Sequence, residues 1–253
     1  MATQAQLAPD DGLAVQARVT AVMALVIAGC FTLFLARGSS SFSAPWHVHV
    51  HAVLFFGWVV LSGLQAALAA GGDRSWHRRL GWLGALWIAA MLPAGLVVTI
   101  RMVQAGHVPP DFQPQHFLLQ DPATLLTFVG LAGAAIARRK SIGWHRRLHL
   151  CALASLMGPA FGRALPAELL ILPFSFEIAA IPGLLFPAFL AWREWRASGR
   201  VHPAWMPGIG ALPVALLICW FLAESTLGAA LYAATVIGTP GEAVPGLAFP
   251  PGA

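Results

Sequence analysis

The sequence predicts an all-α polytopic membrane protein with seven transmembrane helices. Three observations carry that expectation. Hydrophobic residues make up 58% of the 253 positions and charged residues only 10%, whereas a soluble domain carries about a quarter charged. The apolar residues gather into several runs of the roughly 20 needed to cross a hydrocarbon core. The Lys and Arg residues fall in short connections that alternate in side.

Residues 1–18 are polar and form a cytoplasmic N-terminal segment. No basic region precedes the first apolar run, so that run is expected to remain as a span and not be removed as a signal peptide. The spans are placed at about 19–36, 46–70, 80–103, 121–137, 146–165, 168–192 and 208–235. In span two, Pro45 suits the first helical position, after Ser43 or Ala44. In span four, Asp121 and Pro122 suit the N-cap and first helical positions. Spans four and five are short and must draw on flanking residues to cross. Pro159, Pro173, Pro182 and Pro187 are expected to break or kink spans five and six, which frees carbonyls toward a cavity. The connection 105–121 is Pro-rich and too long for a simple turn. Residues 19–235 thus form one membrane domain, followed by a Pro/Gly-rich, flexible tail at 236–253.

The charges give the orientation. "DRSWHRR", "RRKSIGWHRR" and "REWRASGR" follow spans two, four and six, and with Arg18 they hold 12 of the 15 Lys and Arg residues. Arg37, Arg101 and Arg163 lie on the other side. The positive-inside rule then sets the N-terminus in the cytoplasm and the C-terminus outside. The same distribution argues against nucleic acid as the partner of a chain with net charge +5; the lipid bilayer is its partner. The Arg/Ala/Gly/Pro-rich composition fits a GC-rich bacterium, hence a bacterial inner membrane.

An internal repeat runs through the middle of the chain. Trp-His-Arg-Arg-Leu occurs at 76–80 and again at 144–148, a separation of 68 residues. Each copy opens a helix that starts on the cytoplasmic side, so spans two–three and four–five read as two hairpins in parallel orientation. They define a pseudo-repeated four-helix core. As interfacial anchors, the Trp residues would lie at headgroup level and the Arg residues on the inner leaflet.

The topology sorts the nine histidines. His47, His49, His51, His107 and His116 fall outside; His77, His145, His149 and His202 fall inside. His47 and His51 share a helical face at i,i+4, as do His145 and His149. Across the repeat, His51 matches His116 near the outer face, and His77 matches His149 or His145 near the inner face. Two imidazoles on facing helices are what a haem iron in a helix bundle requires. The candidate cofactor is therefore haem b, with His51 and His116 as ligands near the outer face and His77 with His149 or His145 near the inner face. Gly57, Gly63, Gly81, Gly84, Gly130 and Gly133 would leave room for a flat macrocycle, or serve close helix packing. A second set, His47, His51, His116 and Asp121, with Asp111 nearby, has the donor types of a zinc or copper site.

The pairing of histidines across spans two to five resembles that of the transmembrane b-type cytochromes that pass electrons from ascorbate. That resemblance implies haem at both faces, held by His51 with His116 and by His77 with His149, and an electron path between them. "HAVLFFGWVVLSGLQAALAA…HRRLGW", "RRKSIGWHRRLHLCALASLMGPAFGR" and "GRVHPAW", covering residues 47 to 205, resemble an uncharacterised family of bacterial multi-pass membrane proteins. That likeness implies the topology and no chemistry.

Two acids interrupt apolar runs: Glu177, expected near mid-membrane in span six, and Glu224, expected in the outer half of span seven. A charge at the bilayer centre costs about 2.5–3.5 kcal/mol on insertion scales, so intramembrane acids are functional candidates. Several classes are excluded. Cys30, Cys151 and Cys219 are too scattered for a disulfide framework or thiolate zinc site. The only lysine, Lys140, lies in a loop, so no retinal Schiff base can form in the last span. That span also lacks the HxxxH pair of seven-span zinc hydrolases. Three readings stay open: a haem redox protein, a metal-binding or metal-transporting protein using the outer His/Asp set, and a proton-coupled or small-molecule transporter using Glu177 and Glu224 without any cofactor.

Overall fold

The computed structural model describes residues 9–38, 42–170, 172 and 174–250, all of them helix, turn or irregular, with no strand among them. Six helical segments are long and apolar enough to cross a membrane. They are α1 (Pro9–Ala36) from Gly12 onward, α2 (Trp46–Ala70), α3 (Arg74–Ala105), α4 (Pro114–Ala137), the composite Ser175–Ser198 and α10 (Trp205–Ala223). A multi-pass helical membrane architecture follows from them.

The region expected as spans five and six is more broken than its hydropathy suggests. α5 (Ile142–Ser155) stops at Leu156, and α6 (Gly158–Ala164) begins a new axis with Pro159 in its first turn. Proline lacks the N–H that would continue the ladder and clashes with the preceding turn. After the single turn α7 (Ala167–Leu170), α8 (Ser175–Ala180) runs through a 3₁₀ turn at Ile181–Leu184, which contains Pro182, into α9 (Leu185–Ser198). Pro173 lies outside the described residues. Where these segments cross, glycine allows close approach: a Cβ on Gly183 would stand 2.5 Å from the Ala154 carbonyl oxygen.

Other boundaries differ for local reasons. Pro45 is the N-cap of α2, not its first helical residue. α4 begins at Pro114, so Asp121 and Pro122 lie inside it and do not start it. His116 is thereby the third residue of a helix, where sequence spacing placed it in a loop. The run 208–235 breaks at Glu224–Ser225, because the Ser225 side chain accepts from Gly228 N (3.2 Å) and caps a new helix, α11 (Thr226–Val236). Tyr232 and Val236 of α11 pack against Val103 and Phe117, so α11 lies back over the ends of α3 and α4. Glu224 thus caps a helix end and is not embedded in a span. The segment expected as a flexible tail is docked as far as it is described: the Tyr232 hydroxyl donates to the Val244 carbonyl (2.8 Å), and Gln115 N to the Gly246 carbonyl (2.8 Å).

The repeated hairpins are present as packed pairs, α2 on α3 and α4 on α5, with α3 against α4 between them. One core joins them, centred on Trp58, Met91, Phe128, Leu148 and Leu153. α2 approaches α3 at Gly57, where a Cβ would meet the Trp87 ring at 2.4 Å, and Trp87 is pinned by its Nε1–H to the Leu54 carbonyl (2.7 Å). Gly57→Ala is expected to destabilise the protein by about 1–3 kcal/mol through overpacking. Gly63→Ala, whose Cβ meets nothing within 4 Å, is expected to stay within about 0.5 kcal/mol. Thermal unfolding of both variants in detergent checks the contrast.

Candidate functional site

A cavity of about 860 Å³ opens at the end of the bundle where α3 and α5 begin. Its walls come from α1, α2, α3 and α5, with α4 ending beside it. It lies within the range of small-molecule and cofactor pockets, about 300–1,000 Å³. Trp58, Leu61, Ile88 and Leu153 make it apolar, and Gly81 and Gly84 keep its α3 wall low. Arg74, Arg78, Arg139, Lys140 and Arg146 also line it. They come from the helix starts and ends, so the cations ring the mouth of an apolar interior. Of the glycines expected to make room, only these two line the cavity. Trp87 fills the space beside Gly57, and Gly63, Gly130 and Gly133 face open space.

Three histidines enter this cavity: His77, His145 and His149. Asp73 caps α3 through Trp76 N (3.1 Å), which fixes His77 in the first turn. Its Nδ1–H donates to the Gln65 carbonyl of α2 at 3.2 Å. His145, the matching residue of the second repeat, donates its Nδ1–H to the Ala135 carbonyl of α4 at 2.8 Å. A carbonyl only accepts, so both rings carry a proton on Nδ1, and the neutral form of each has its lone pair on Nε2. Neither Nε2 has a partner among the described residues. The two ring centres are 6.1 Å apart, with planes at 88°. His149 stands one turn further in, 4.8 Å from His145, with no hydrogen-bond partner among the described residues. Two further polar atoms on the cavity wall, Trp58 Nε1 and Gln65 Oε1, are buried without a partner.

The start of α5 is held by an ion pair that sequence reasoning missed. Arg147 donates from Nε (3.0 Å) and Nη2 (2.7 Å) to Glu194 Oε2 in α9. The same oxygen accepts from Trp205 Nε1 (2.9 Å) in α10, and Glu194 Oε1 accepts from His202 N (2.9 Å). One carboxylate thus ties α5, α9 and α10. Glu194 is the lone acid in "REWRASGR", and that isolation is the signal that was available.

The opposite end of the bundle collects the remaining candidates into different company. His116 donates from Nε2 to Glu224 Oε1 at 2.7 Å. Gln120, one turn along α4, donates to Glu177 in the first turn of α8. Glu177 therefore sits near a helix end, not at mid-span. Asp121 accepts from the Thr99 hydroxyl at 2.5 Å. His51 stacks on Phe55 with ring centres 4.0 Å apart, and its Nδ1 is buried without a partner. His47 packs edge-on against Trp46.

Of the expected cofactor pairs, His77 and His149 thus share the cavity, with His145 beside both. His51 and His116 make no ring contact, and the His116 Nε2 is taken by Glu224. The expected zinc or copper set is not assembled. Among the described residues no group of three or more His, Cys, Asp or Glu side chains is placed to hold a metal ion. No family model, curated protein or solved structure matches the chain.

Proposed function

We propose that the protein is a b-type cytochrome of the bacterial inner membrane, and that His77 and His145 would hold haem b in the cavity. α5 and α6 together make the remaining crossing of a seven-span topology, with the N-terminus and the cavity mouth on the cytoplasmic side. One observation carries the reading: two repeat-related imidazoles, each fixed by a backbone carbonyl, keep unpartnered Nε2 atoms at a shared cavity. Their ring centres lie 6.1 Å apart.

The remaining residues fit the group. Trp58, Leu61, Ile88 and Leu153 offer an apolar slot, and the Arg residues at the mouth would neutralise its two propionates. Backbone acceptors behind ligating histidines fix the tautomer and raise ligand basicity. When bound, haem supplies reversible one-electron transfer, tuned by its axial ligands and burial. The chain's own part is to orient two imidazoles, exclude water and screen two carboxylates. The ascorbate-type path between two haems is not part of the proposal, because His116 is committed to Glu224 and makes no ring contact with His51.

Blocking the cavity tests the reading without touching a ligand. Gly84→Leu, which pushes a side chain toward Trp58 and Leu61, is expected to lower the haem content of purified protein at least about fivefold. Gly133→Leu, facing open space, is expected to leave it unchanged. Equal haem content in the two variants would contradict the assignment.

A further inference from the structure

The end of the bundle where α3 and α5 begin carries cations that its cavity does not account for. Arg79 and Arg138 are exposed and lie outside the cavity walls, next in sequence to the exposed Arg78, Arg139 and Lys140. None of the five has a carboxylate partner among the described residues, whose two ion pairs join His116 to Glu224 and Arg147 to Glu194. Asp73, the acid closest in sequence to Arg78 and Arg79, is engaged as the cap of α3. Cations gathered in this way repel one another unless an anion lies among them.

Three tryptophans hold the guanidinium groups in place. Arg139 lies over the Trp82 ring of α3 at 5.8 Å, Arg138 over Trp144 of α5 at 4.9 Å and Arg79 over Trp76 at 5.6 Å. A ring takes up the face of a guanidinium and leaves the N–H edge that matches two phosphate oxygens. Of the three arginines, only Arg139 spends a side-chain donor among the described residues, from Nη1 to the Ile136 carbonyl at 3.3 Å. The Arg139–Trp82 contact also joins the end of α4 to α3. A helical side chain leans over the turn before it, so Trp82 brings Arg139 beside the turn that carries Arg78 and Arg79. Away from this end the surface turns apolar. Arg79, Trp82 and Leu86 recur at i, i+3 and i+7 on one face of α3, with Trp82 66% and Leu86 70% exposed. The order along that face is cation, aromatic, aliphatic. A free phosphate or an acidic peptide meets only the first of these. A phospholipid with a negative headgroup meets all three.

We propose that the seam between the start of α3 and the end of α4 holds one anionic phospholipid, with its phosphate among Arg79, Arg138 and Arg139 and an acyl chain along Trp82 and Leu86. A headgroup alcohol without charge leaves the phosphodiester its full negative charge. A choline or ethanolamine head brings a cation of its own, which Arg78 and Lys140 repel. The site does not rest on the haem reading, because Arg79 and Arg138 line no part of that cavity.

Native mass spectrometry of the full-length protein in detergent tests it, by titration with short-chain phosphatidylglycerol or with phosphatidylcholine of the same chains. Wild type is expected to bind one phosphatidylglycerol at least about tenfold more tightly than phosphatidylcholine. Each cation at a membrane surface contributes about fivefold to holding an anionic lipid, so Arg79→Gln and Arg138→Gln are each expected to weaken phosphatidylglycerol by about that factor. Trp82→Ala is expected to weaken both lipids, since it removes the chain contact and releases Arg139. Arg200→Gln, at an exposed position just after α9, is expected to change nothing. Equal binding of the two lipids overturns the proposal. So does a loss in Arg200→Gln as large as that in Arg79→Gln, which would mark diffuse charge and no site. Glycerol phosphate that competes as well as the lipid also overturns it, by making the site one for a free anion. Each variant is scored only with a wild-type unfolding midpoint, and the two exposed arginines give independent readings.

Discussion

Glu194→Ala is expected to be the most destabilising single substitution in the molecule, at about 3–5 kcal/mol. Arg147 keeps only 8% of its side chain exposed, and Glu194 supplies its only carboxylate among the described residues. Removing that partner leaves a buried guanidinium with the Gly143 carbonyl and the face of the Trp205 ring, and unties Trp205 Nε1 and the His202 backbone in the same step. The helix start that carries His145 loses its brace against α9 and α10. Glu194→Gln keeps the shape and one acceptor oxygen, so its loss should be smaller. Chemical or thermal unfolding in detergent separates the two. Equal, near-zero effects would remove the ion pair from the account of why α5 stands where it does.

His77→Ala and His145→Ala are each expected to cut bound haem at least tenfold, while His149→Ala leaves most of it in place. The order follows from orientation. His77 and His145 are held by backbone carbonyls and need no reorganisation to present Nε2. His149 has no such hold and packs beside Trp58, with ring centres 6.3 Å apart. Haem content by absorption, normalised to protein with a wild-type unfolding midpoint, checks the series. Retention in His145→Ala with loss in His149→Ala would return the pairing to His77 with His149.

Much of this was legible in the chain. Hydropathy located six membrane-length helices because each is a continuous apolar run, and the Trp-His-Arg-Arg-Leu repeat marked the two hairpins that pack together. The repeat also held the pairing of His77 with His145. The residues alone left His149 or His145 open, and the choice of His149 came with the cytochrome resemblance, whereas the repeat register aligns residue 77 with 145. The broken segments were less legible. Hydropathy is indifferent to the Ser225 cap and to Pro159, so it joined α10 to α11 and α5 to α6, and left Glu224 and Glu177 too deep. The partnership of His116 with Glu224 spans 108 residues of sequence. It depends on where α10 ends against α4, which no local pattern records. The docking of residues 240–250 is likewise set by Tyr232 and Gln115, far from the segment that carries the Pro and Gly.

The most direct measurement is the absorption spectrum of detergent-purified protein, air-oxidised and dithionite-reduced, with haem quantified on the same sample. A Soret band, a sharp α band on reduction and one haem per chain are the predicted result. A colourless protein that also takes up no added haem would contradict the assignment of the His77–His145 cavity.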